Sequence, residues 1–154
     1  MVKRTNTWNA EDAGGPSSIV IDLSDQRAFF YKGDKLVGET NISSGKKGFE
    51  TPTGQFAVTQ RNKDHVSNLY GDFVDEAGEI VKKNVDTSKE QPPEGVMFVG
   101  AKMPYYLRFK DGYGLHAGRL PGYRASHGCV RLPREMARHF YEHSVAGTPV
   151  TVQE

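Results

Sequence analysis

At 154 residues the chain has room for one domain with a substantial core. Its 36% hydrophobic and 25% charged residues exclude a disordered chain, and a formal net charge of +1 excludes a global field for nucleic acid or an anionic membrane. No apolar run approaches the roughly 20 residues that cross a bilayer, so no membrane span is expected.

The segment Met1 to Asn6 lacks the apolar stretch of a secretory signal, which leaves either a cytosolic protein or a mature fragment behind an added methionine. Residues 1–17 are polar and end in Gly14-Gly15-Pro16-Ser17, a flexible lead-in with little core content. Order is expected from Ser18, in a single domain over 18–154. Ile19, Ile21 and Leu23 alternate with Val20 and Asp22, the pattern of a half-buried strand. Ser24-Asp25 turns into a second strand at Arg27–Tyr31, and Gly33-Asp34 into a third at Lys35–Ser43. Phe56 and Val58 carry a fourth, within Gly54–Arg61.

Residues 62–95 change character, with Gly, Asp, Lys and Glu and the pair Pro92-Pro93. They read as a long surface excursion with a small hairpin at Ala77-Gly78, either the wall of a cleft or a decorative insertion. Strands resume at Val96–Ala101, Tyr106–Lys110 and Gly114–His116. Pro133 fits the first turn of a helix that carries Met136, Ala137, Phe140 and Tyr141 on one face and is ended by Gly147. Pro149–Val152 closes the chain as a strand. The class is mainly β with one substantial helix.

The chemistry gathers between Leu115 and Pro133. This stretch holds Cys129, the only cysteine, with His116 thirteen residues before it and His127 two residues before it. A lone cysteine forms no internal disulfide, and the usual explanation is small core filler. Polar, glycine-bearing neighbours argue instead for a nucleophile. A free thiol has a pKa of about 8.5 and needs an imidazole to take its proton. His116, at the end of a strand, is the expected base. Gly128 admits positive φ, and the amides around Gly128 and Cys129 suit an oxyanion. Ser126 either orients His127 or holds the turn. Arg131 is the cation best suited to a substrate carboxylate, because its planar fork pairs in bidentate fashion.

A zinc site built on His116, His127 and Cys129 lacks a fourth ligand, so neither metal nor cofactor is expected. His139 and His143, four apart on the helix, read as a solvated face.

Ser126-His127-Gly128-Cys129, preceded by His116-Ala117-Gly118, resembles the signature of the L,D-transpeptidase (YkuD-type) catalytic domain. So do Ile21-Asp22-Leu23-Ser24 with Arg27-Ala28-Phe29-Phe30-Tyr31, the segment Thr51-Pro52-Thr53-Gly54-Gln55-Phe56, Met103-Pro104-Tyr105-Tyr106 and Gly147-Thr148-Pro149-Val150. The resemblance runs from Ser18 to Val152. It implies a β-sandwich-like catalytic fold and a bacterial peptidoglycan enzyme. Such enzymes cut between an L-centred third stem residue and D-alanine, then pass the acyl group to an amine, giving a cross-link, protein attachment or D-amino acid exchange.

Carried over by position, the resemblance makes Cys129 the nucleophile and His116 the base, with His127 and Gly128 beside the oxyanion hole. It also implies a backbone carbonyl near Ala117 or Gly118 that orients the base. Arg131 stands where many members have Asn, and the spacing from His116 to Cys129 is slightly short. Arg131 and Arg124 would meet stem carboxylates, with Tyr105 and Tyr106 lining the groove or simply packing in a strand. Peptidoglycan stem peptides are the implied partners, carbapenems the implied covalent inhibitors, and the periplasm or cell envelope the implied location. A carboxypeptidase or endopeptidase on the same scaffold, and a non-catalytic wall-binding domain, are the alternatives.

Overall fold

A computed structural model describes residues 5–154. Its elements are β1 (Thr7–Trp8), β2 (Ser17–Asp22), β3 (Arg27–Lys32), β4 (Lys35–Asn41), β5 (Gly54–Ala57), β6 (Gln60–Asp75), β7 (Ile80–Asp86), β8 (Val96–Lys110), β9 (Tyr113–Ala117), β10 (Val130–Leu132), α1 (Arg134–Glu142) and β11 (Pro149–Gln153). It is mainly strand with one helix, as the periodicity predicts. Among the described residues no helix is long and apolar enough to cross a membrane.

Six strands form one sheet in the order β1-β4-β3-β2-β11-β5. The expected meander is there as β2, β3 and β4, paired antiparallel. The closing strand β11 enters between β2 and β5, parallel to β2 with Val150 opposite Ile19, and antiparallel to β5. The second sheet runs β10-β9-β8-β6-β7.

The described residues divide into two compact units, one ending at Lys63 and resuming at Tyr105–Glu154, the other Asp64–Pro104. In the first, Ile19, Ile21, Leu23, Phe30, Val150 and Val152 from the six-stranded sheet pack with Leu107, Leu115, Val130, Leu132 and the Met136, Ala137 and Phe140 face of α1. This is the apolar periodicity of strand and helix converted into one core.

Five expectations need correction. Residues 5–16 contribute more than a lead-in: Thr7 and Trp8 pair with Glu39 and Gly38, and Trp8 packs on the core. The indole stacks on the His139 ring at 4.7 Å with planes 3° apart, and His143 tilts against it at 5.0 Å. His139 and His143 are therefore packing residues rather than a solvated face. The helix stops at Glu142, capped by His143, before Gly147.

The 62–95 stretch carries much more regular strand than its composition suggests. Within Asp64–Pro104, β6 and β7 pair through Gly71–Val85 and Val74–Ile80. The Asp75 carboxylate accepts the Ala77 and Glu79 amides, turning the chain at the Ala77-Gly78 position. The separate strands expected at 96–101 and 106–110 are one long strand, β8.

Candidate active site

The cysteine segment is fastened on both sides. Past the loop, β10 runs parallel to β9, with Val130 opposite Leu115 and Arg131 opposite His116. Parallel neighbours need a crossover of about a dozen residues, which accounts for the long stretch between the two histidine-bearing motifs. On the other side, Arg131 and Ser43 exchange amide–carbonyl bonds of 2.9 and 3.0 Å. The Ala125 and Ser126 amides both donate to the Ser44 carbonyl, and Lys46 donates to Ser126.

The turn before Cys129 is set by side chains. The Ser126 hydroxyl donates to the Cys129 carbonyl and accepts the Gly128 amide at 3.0 Å, so Ser126 holds the turn. Gly128 has φ +125°, and a Cβ there would lie 2.4 Å from the Tyr113 ring. Only glycine fits. From far along the chain, buried Thr51 donates to the Gly128 carbonyl at 2.7 Å and accepts the Gly45 amide at 3.0 Å. The Gly128 amide, expected at an oxyanion, is thus engaged by Ser126, and the Cys129 amide remains as the donor next to the sulfur.

Cys129 is half-buried, with its sulfur 3.6 Å from the Gly112 carbonyl on the turn between β8 and β9. Burial pushes the thiol up, while the Gly114 amide, the Arg108 guanidinium and the Arg131 guanidinium pull it down. The balance leaves a protonated thiol at rest, so a base is needed. His116 is buried on β9, its Nδ1 2.8 Å from the Ala117 carbonyl. A carbonyl only accepts, so Nδ1 carries a proton, and in the neutral form of the ring the lone pair lies on Nε2. This is the orienting carbonyl expected near Ala117 or Gly118. The Tyr106 ring lies nearly parallel to the imidazole, centroids 6.5 Å apart, and its hydroxyl donates to Gly112 at 2.8 Å. Burial raises that phenol, which stays neutral.

The structure therefore gathers Cys129, Gly128, Ser126, Tyr106 and Arg131 around the sulfur, with His116 on the adjoining strand. The Arg131 stem covers Gly118, and its head donates to the Arg119 carbonyl. His127 meets the Phe49 ring edge-on at 5.0 Å. Two expected groove residues lie elsewhere. Tyr105, at φ +58°, packs against Tyr141 and under the Arg134 guanidinium. Arg124 donates to the Leu23 carbonyl and pairs with Glu154, so its fork is already committed.

Thr51, Tyr113, Phe49 and Arg108 are the contributors that spacing did not reveal. Thr51 had one visible sign, its place in the Thr51-Pro52-Thr53-Gly54 segment. The others sit in ordinary strand or loop context.

The family model for the YkuD L,D-transpeptidase catalytic domain matches residues 16–152. A probable L,D-transpeptidase, ErfK/SrfK, of Salmonella typhimurium is 25% identical over 87% of this chain, and this chain spans 43% of that protein. Among solved structures, an L,D-transpeptidase from Mycobacterium smegmatis superposes with a TM-score of 0.70 at 20% identity, covering 92% of this chain and 60% of the other. The L,D-transpeptidase LdtMt1 in complex with imipenem gives 0.69 at 18% identity, covering 91% and 60%.

Proposed function

This chain belongs to the L,D-transpeptidase (YkuD) catalytic-domain family, and from that premise we propose that it is a peptidoglycan L,D-transpeptidase working by cysteine acyl transfer. The observation that carries the reading is the His116 Nδ1 bond to the Ala117 carbonyl, which sets the ring so that Nε2 is the nitrogen that accepts a proton. In the first half-reaction the Cys129 proton passes to His116 Nε2. The thiolate attacks the carbonyl of the third stem residue, and the oxyanion takes the Cys129 amide. Collapse breaks the bond to D-alanine, whose amine leaves with the proton from His116, and a thioester remains. In the second, an acceptor amine gives its proton to His116 and attacks the thioester. The thiolate departs and takes that proton back from His116, and an amide forms.

Around this chemistry Arg131 offers a cation to a stem carboxylate, Tyr106 forms the floor, and Ser126 and Gly128 shape the turn. His127 flanks the site through its contact with Phe49. Peptidoglycan stem peptides are the substrate, which implies an exported enzyme of the periplasm or cell envelope with a part in wall building and cell shape. A carbapenem would acylate the same sulfur; the imipenem complex of a fold neighbour supports this reading.

The test is incubation with purified tetrapeptide muropeptides and an amine acceptor, with products weighed by mass spectrometry. Cys129→Ala should lower product formation by at least about a thousandfold while leaving the circular dichroism unchanged. His116→Ala should slow acylation more than His127→Ala. Full turnover by the Cys129 variant would end the reading, and free acid in place of new amide would make the chain a hydrolase.

A further inference from the structure

The turn against which the sulfur rests is held by a residue outside the signature. Arg108 lies opposite Gly114 in the β8–β9 ladder. Its Nη1 donates to the Asp111 carbonyl, its Nε donates to Gln60 Oε1 at 2.9 Å, and its guanidinium lies 5.2 Å from the Tyr106 ring centroid. Asp111 has φ +45°, a left-handed conformation that a side chain with a Cβ holds only with outside support. Tyr106 fastens the next residue through the Gly112 carbonyl at 2.8 Å, and that same carbonyl lies 3.6 Å from Cys129 Sγ. Gly114 completes the seat: a Cβ there would come within 2.5 Å of the Leu107 carbonyl and 2.9 Å of the Tyr106 ring.

We propose that Arg108 is the positioning residue of the nucleophile: its fork fixes the Asp111–Gly112 turn so that the sulfur rests between the Gly112 carbonyl and the Gly114 amide, while its charge favours the thiolate. The carbonyl accepts from the thiol and the amide donates to the thiolate, so one fixed turn serves both protonation states. The groups facing the sulfur are Tyr106 and Arg108 from β8, the Gly114 amide from β9 and Arg131 from β10, with His116 in register beside Arg131. Burial opposes ionisation there, and Arg108 and Arg131 are the two cations that offset it. The fork geometry separates Arg108 from a bare charge, since Lys cannot reach Asp111 and Gln60 at once.

This deepens the acyl-transfer reading and rests on it. Its test reads the sulfur without substrate: the pH midpoint of Cys129 alkylation by iodoacetamide, in the whole chain, with mass spectrometry as readout. Arg108→Met should raise the midpoint by about one pH unit, and Arg108→Lys by less. Gln60→Leu, a change at an exposed anchor, should shift it the same way and keeps the test alive if Arg108→Met does not fold. A wild-type midpoint in Arg108→Met or Gln60→Leu, or in Arg108→Lys, would overturn the proposal. Muropeptide turnover measured in parallel reads the transpeptidase assignment, so the two can fail independently.

Discussion

At Thr51 a single hydroxyl fixes the peptide preceding Cys129. Its two hydrogen bonds reach the Gly128 carbonyl and the Gly45 amide in a buried setting, so removing the hydroxyl strands both partners. Thr51→Val keeps the volume and should cost about 1–3 kcal/mol of stability by urea unfolding. It should also lower kcat by about a hundredfold, because the Cys129 amide loses its aim. Thr51→Ser, which restores both bonds, should recover most of each loss. The motif around Cys129 was legible in the sequence, since cysteine, glycine and flanking polar residues are contiguous. Thr51 was visible only as part of the Thr51-Pro52-Thr53-Gly54 segment, and its pairing was hidden because the partner lies 77 residues away.

Among the elements, β1 and α1 show how a short strand can be held by side chains. Trp8 lies against Phe30, Phe140, His139 and His143, joining two residues of β1 to the helix and the sheet. The composition of residues 1–17 hid this, since one tryptophan among polar residues shows no period. The packing has a pH consequence. Burial, helped by Lys32 and His139, holds His143 below the ordinary 6.5. The unfolded chain then binds a proton there more readily than the native one, so stability rises with pH across this window. The stability present above pH 6.5 should be lost as pH falls through the lower native value. His143→Leu should flatten that slope in urea midpoints measured from pH 7.5 to 5.

Across the whole molecule, the two units differ in what they bury. The first holds a continuous core from both sheets and the helix. In Asp64–Pro104 the buried apolar side chains are Phe73 and Val85, while Val66, Ile80, Val81, Met97 and Val99 are about half exposed or more. Few buried contacts mean cheap local opening. Hydrogen exchange followed by mass spectrometry should therefore show β7 amides exchanging well before those of β2, β3 and β11. Equal protection would contradict this. The strand content of 62–95 escaped the sequence because polar, mostly exposed strands lack the apolar alternation by which strands are recognised.

By itself the sequence determined the meander, the helix face, the closing strand and the motif around Cys129, because each is written in neighbouring residues. It also carried the family, through the order of several short motifs. Only the tertiary structure decided that β11 enters between β2 and β5, that β10 lies parallel to β9, that Thr51 reaches the Gly128 carbonyl, and that Arg108 reaches the Asp111 carbonyl. All but the last are pairings between distant residues. Backbone hydrogen bonds and packing choose them after the chain has closed, and a residue's immediate neighbours do not encode which partner it will meet.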